Sequence, residues 1–132
     1  MPDSVTGDNT SQVSYDLIVE VSVDDDAEIP PLSQSLEPQI RAAAVAALDR
    51  KQCHRGEVQI RISNDATIHQ INRQFLDHDY PTDVISFGYE CEPPQVSGDV
   101  VVSVETAERQ AESHGASVVE ELLLYVVHGC LH

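Results

Sequence analysis

From Tyr15 to Asp24 apolar and polar positions alternate, with Leu17, Val19, Val21 and Val23 on one side. That period of two predicts a half-buried strand. The acidic run Asp24–Asp26 and the pair Pro30-Pro31 stop it. Between Ser33 and Lys51 the period changes to that of a helix, with Ile40, Ala43, Ala44, Ala47 and Leu48 as the inward stripe of an Ala-rich segment. Gly56 separates this helix from a second alternating run, EVQIRIS, which puts Val58, Ile60 and Ile62 on one face and Arg61 on the other.

Asn64 or Asp65 then caps a helix whose stripe is Ile68, Ile71, Phe75 and Leu76. DVISF and GDVVVSV are two further strands, joined by the Pro-rich stretch CEPPQVSG, which reads as a loop. ETAERQAESHG predicts a helix closed by Gly115. Ser117 with Glu120 three residues later forms the capping box of a last, strongly apolar helix. The predicted order is β-α-β-α-β-β-α-α. It implies one α+β domain, a mixed sheet of about four strands with helices packed on it.

Length agrees with that picture, because 132 residues support one core and not two. The longest apolar run, Leu122–Val127, is far below the roughly 20 residues a membrane helix needs. Residues 1–12 are polar and lack the charged and apolar regions of a secretory signal, so a disordered tail and a cytoplasmic location are expected. Cys53, Cys91 and Cys130 are odd in number and have no C-x-x-C spacing, and are therefore expected as reduced thiols.

Charge changes the picture more. The net value of −16 disfavours a polyanionic partner for the chain as a whole. Yet six of the seven cations (Arg41, Arg50, Lys51, Arg55, Arg61 and Arg73) fall within residues 41–73, against three acids. Residues 74–132 hold eleven acids and a single cation, Arg109. The cluster suits either a solvated face or a phosphate-facing patch.

The candidate chemistry lies at the end of the last helix. His128 and His132 stand four apart, so they share a helix face one turn apart and can bind one metal ion. A pair of core histidines bonded to backbone carbonyls is the other reading of that spacing. Gly129 stands where the zinc proteases carry a general-base glutamate, which argues against such a site. A glycine there also suggests that a substrate or a neighbouring strand approaches closely. Arg61 is an ordinary outward arginine unless it borders a cleft, where its fork would suit a phosphate. Asp79 and Asp83, beside Pro81, suit turn chemistry or the orientation of a metal-bound water. His54, His69, His78 and His114 have no partner at ligand spacing and read as solvent-facing imidazoles.

Four segments in order resemble the YbeY family of bacterial metal-dependent endoribonucleases, the rRNA maturation factors. They are VQIRISND; INRQFLDHDYPTDVISF, similar to N-x-x-[FY]-x-x-x-D-x-P-T-D-V-[IL]-S-F; GDVVVSVETAERQA; and VVHGCLH, similar to the opening of H-G-x-L-H-L-x-G-Y-D-H. Gly88 stands where the family usually has proline.

The resemblance implies a zinc-hydrolase-like domain over residues 13–132, with a Zn ion held by three histidines, the first two being His128 and His132. It implies single-stranded RNA as substrate, Arg61 as the residue on the scissile phosphate, and roles in maturing the 3′ end of small-subunit rRNA and in ribosome quality control. The ribosomal small subunit and a ribosome-assembly GTPase are the implied partners. The third histidine of the motif would fall six residues beyond His132, so the domain is expected to be cut inside the motif and this chain to be weakly active or inactive. A non-catalytic ribosome- or RNA-binding module, with a structural metal or an incomplete site, is the rival reading.

Overall fold

The structure is a computed structural model that describes residues 16–25, 27, 33–75 and 83–131. Its elements are β1 (Asp16–Val23), α1 (Ser33–Arg50), β2 (Arg55–Ser63), α2 (Asp65–Phe75), β3 (Val84–Glu92), β4 (Gln95–Ser103), α3 (Val104–His114) and α4 (Val118–Leu131). Order and type agree with the hydrophobic periods. The four strands form one sheet in the order β1-β2-β4-β3. β1 and β4 run parallel to β2, and β3 is antiparallel to β4, so the sheet is mixed and the domain is α+β.

Local signals end the elements as their chemistry requires. Asn64 Oδ1 accepts from Thr67 N at the start of α2. Ser103 caps α3, and Gly115 closes it in the left-handed conformation (φ 67°) that glycine adopts at no steric cost. The capping box is complete: Glu120 N donates to Ser117 Oγ, and Ser117 N donates to Glu120 Oε1.

One stretch departs from the expectation. CEPPQVSG is mostly strand, and only Pro93 and Pro94 form the turn of the β3–β4 hairpin. The hairpin reaches this far because Cys91 and Glu92 still find ladder partners in Val96 and Gln95.

The two faces of the sheet are covered unequally. Val58, Ile60 and Ile62 of β2 with Val96, Val100 and Val102 of β4 join one buried cluster with Leu36, Ile40, Ala44, Ala47 and Leu48 of α1 and Leu122, Tyr125 and Val126 of α4. On the other face a smaller cluster holds Val101 and Ile85 against Ile68 and Ile71 of α2. Ile18 of β1 stays 53% exposed. Phe75 and Leu76, expected in the stripe of α2, lie outside the residues whose side chains are described.

The cysteine expectation is corrected. Cys53 and Cys91, 38 residues apart, are joined by a disulfide, and Cys130 alone is free. The pairing is tertiary in origin: His54 N and Arg55 N both donate to the Pro94 carbonyl, which lays the α1–β2 connection across the tip of the hairpin that carries Cys91. Burial pushes the Cys130 thiol up to about 11, so it is not a nucleophile near neutral pH.

Candidate functional site

Helix α4 reaches the sheet because residue 129 is a glycine. A β-carbon there would stand 2.5 Å from Val100 Cγ1 and 3.1 Å from Val84 Cγ2. The close approach is therefore made by the strands. Ser86 Oγ donates to the Gly129 carbonyl at 2.9 Å, and the Tyr89 hydroxyl donates to the Cys130 carbonyl at 2.6 Å. Lys51 Nζ, from the end of α1, donates to the Leu131 carbonyl. With one side of α4 pinned in this way, the neighbouring residue His128 is turned outward and is exposed. The wall of α4 that bears it is thus not buried on every side, although the helix is apolar in sequence.

His128 opens onto a cavity of about 480 Å³ lined also by Asp83, Thr106, Arg109, Gln110, His114, Glu121, Leu124 and Tyr125. That volume lies within the usual range of ligand clefts, about 300–1,000 Å³. At its floor Glu121 is buried, and the exposed His114 meets it through Nδ1 at 2.6 Å from Oε1. The His114 contact holds the Glu121 carboxyl below its ordinary value and outweighs the opposing effect of burial. Among the described residues, Glu121 Oε2 and the Tyr125 hydroxyl lack a well-formed hydrogen bond. Burial, aided by the neighbouring Glu121 charge, pushes the Tyr125 hydroxyl up, so it stays protonated.

A second network borders the cavity. Asp65, the first residue of α2, accepts from Ser103 Oγ and from Thr106 Oγ1, the latter at 2.7 Å, and pairs with Arg109 Nη2 at 2.9 Å. Burial raises the Asp65 carboxyl, but its three donors together outweigh that and leave it lowered. The same Arg109 nitrogen donates to Thr106 Oγ1 at 2.9 Å.

Arg61 stands elsewhere. It is in register with Val101, on the sheet face that meets α2, whereas Val100, which touches Gly129, is on the face that meets α4. Its guanidinium grips Asp24 with Nε at 2.8 Å and Nη2 at 3.0 Å, and Ser63 Oγ donates to the same carboxylate at 2.6 Å. The Arg61 hydrogen bonds hold the Asp24 carboxyl below its ordinary range despite partial burial. The described residues thus do not bring Arg61 and His128 to one cavity.

The sequence profile of the family described as "Endoribonuclease YbeY" matches residues 20–132. The chain belongs to the YbeY family. A relative from Rhodopirellula baltica, named endoribonuclease YbeY, is 52% identical over 129 residues, covering 92% of this chain and 66% of that protein. One from Elusimicrobium minutum with the same name is 41% identical over 98 residues, covering 70% of this chain and 67% of that one. The chain spans about two thirds of the length of these relatives. Among solved structures, TM1509 from Thermotoga maritima matches with a TM-score of 0.59 at 23% identity, over 86% of this chain and 70% of that one, and so shares the fold.

Of the zinc ligands that the YbeY resemblance implies, His128 is at the cavity and His132 lies outside the described residues. An exposed imidazole in a cavity that Asp83 also lines suits one ligand position. Among the described residues, no three His, Cys, Asp or Glu side chains gather as a metal cage, so they do not by themselves complete a zinc site. Asp83 is at the cavity as its place before β3 allows, while Asp79 and His78 lie outside the described residues.

Reading by spacing missed His114, Glu121, Tyr125 and Arg109. Two signals were present in the chain: Glu121 is an acid at the head of an apolar run, and Arg109 is the single cation after residue 73. His54, like His114, proves to be paired, with Nε2 2.9 Å from Asp49 Oδ1.

Proposed function

We propose that the chain is the greater part of a zinc-dependent endoribonuclease that cleaves single-stranded RNA in the cytoplasm, in maturing the 3′ end of small-subunit rRNA and in ribosome quality control. The small subunit and an assembly GTPase are its proposed partners. The carrying observation is that a YbeY match over residues 20–132 coincides with His128, at the family's first-histidine position, opening onto a polar cavity with Asp83.

His128 and His132 would hold a zinc ion with a further ligand, and such an ion would make a bound water acidic enough to deprotonate near neutral pH. This chain's own residues do the rest. His114 holds the Glu121 carboxylate in its charged form beneath the cavity, a fixed negative charge that favours a cation above it. Asp83 stands where it can accept a proton or orient a bound water. Arg61 comes to a scissile phosphate by exchanging Asp24 for it.

Zinc per chain and cleavage of a labelled single-stranded RNA test this reading, on the 132-residue chain and on a version continuing through the family motif. About one zinc per chain and cleavage are expected in the longer version, both lost on His128→Ala. If zinc content and cleavage there are indifferent to His128→Ala, the reading is wrong.

A further inference from the structure

We infer that Arg109 makes a phosphate contact for RNA entering the His128 cavity; this deepens the endoribonuclease reading and rests on it. Among the described residues, Arg109 is the one Lys or Arg that lines this cavity. Its surroundings are those of a placed cation. Asp65 is held by Ser103, which is fully buried, and by Thr106, and it anchors only Nη2 of the guanidinium.

The side chain beyond that anchor is 61% exposed, against 25% for Asp65. Among the described residues, Nε and Nη1 have no hydrogen-bond partner, so the guanidinium has donors left for a phosphate oxygen. The anchor also fixes the arginine's long side chain before ligand arrives, which lowers the entropy lost on binding. Arg61 has the opposite arrangement, with Nε and Nη2 both closed on Asp24.

The charge balance of the cavity supports the assignment. Asp83 and Glu121 repel a polyanion, and Arg109 is the permanent positive charge among the described lining residues that opposes them. It is also the single cation in the acidic stretch 74–132.

The test is the salt dependence of binding of a fluorescein-labelled single-stranded RNA, read by anisotropy, with the RNA checked for integrity after each titration. Arg109→Ala is expected to weaken binding about fivefold at low salt and to flatten the slope of log K against log salt by about 0.7, the value of one single-strand phosphate contact. Arg109→Lys is expected to keep the slope while recovering part of the affinity, because it retains the charge and loses the fork. An unchanged slope in Arg109→Ala, with RNA still bound, overturns this inference and leaves the enzyme reading standing. No RNA binding by the unaltered protein overturns both.

Discussion

Two corners of the molecule are built from the same parts and put them to different ends. At the end of β1, Asp24 takes both Nε and Nη2 of Arg61 and the hydroxyl of the buried Ser63. At the start of α2, Asp65 takes one nitrogen of Arg109 and the hydroxyls of the buried Ser103 and of Thr106. In the first corner the fork is closed and the pair ties β1 to β2. In the second the serine and threonine satisfy much of the carboxylate, and the arginine remains an exposed cation at a cavity. An Arg–Asp pair is therefore not one kind of object; the number of competing donors on the carboxylate decides how much of the arginine is left over.

Removing each carboxylate should separate the corners most widely. Asp65→Ala leaves Ser103, Thr106 and Arg109 without an acceptor and is expected to cost about 2–3 kcal/mol in urea unfolding. Asp24→Ala takes one acceptor from Ser63 and from Arg61 and is expected to cost about 1–2 kcal/mol. Equal losses, or a larger one at Asp24, would break the comparison.

Acid should expose the same groups. Asp24 and Asp65 lie below their ordinary 3.8 and Glu121 below its ordinary 4.5 in the folded protein. Groups with lowered folded values stabilise the fold fully above the unfolded values, and that contribution disappears as pH falls through the folded ones. The melting temperature is therefore expected to be flat above about pH 5 and to fall steadily below about pH 4, with a shallower fall in Asp65→Ala. An unaltered acid limb in that variant would count against its network.

The arginines themselves should matter least to stability. Arg61 is 44% exposed and Arg109 61% exposed, so Arg61→Ala is expected to cost at most about 1 kcal/mol and Arg109→Ala about half of that. A larger cost for Arg109→Ala would make it structural first.

Much of this architecture was visible before folding. The alternation at Leu17–Val23 and Val58–Ile62, the stripe at Ile40–Leu48, the cap at Asn64, the closure at Gly115 and the box at Ser117–Glu120 are all where the chain's periods placed them. The reading failed where distant segments meet. Cys53 and Cys91 looked like separate thiols, Cys91–Glu92 and Gln95–Gly98 looked like loop rather than strand, and His114 looked like a solvent-facing imidazole without a partner. Among the site residues, His128 and Asp83 line one cavity with Arg109, whose place there the spacing did not show, while Arg61 is paired with Asp24 on the other face of the sheet.

Sequence by itself determined the kind and order of the elements and their caps, because those depend on side chains within about four residues of one another. The tertiary structure alone decided which side of the sheet each element covers. The order β1-β2-β4-β3 and the register of Arg61 beside Val101 set one arginine against Asp24, and the pinning of Gly129 on Val100 turned His128 outward to the cavity of Arg109. In a strand a shift of one residue exchanges the two faces, and that choice is made by contacts between segments far apart in the chain.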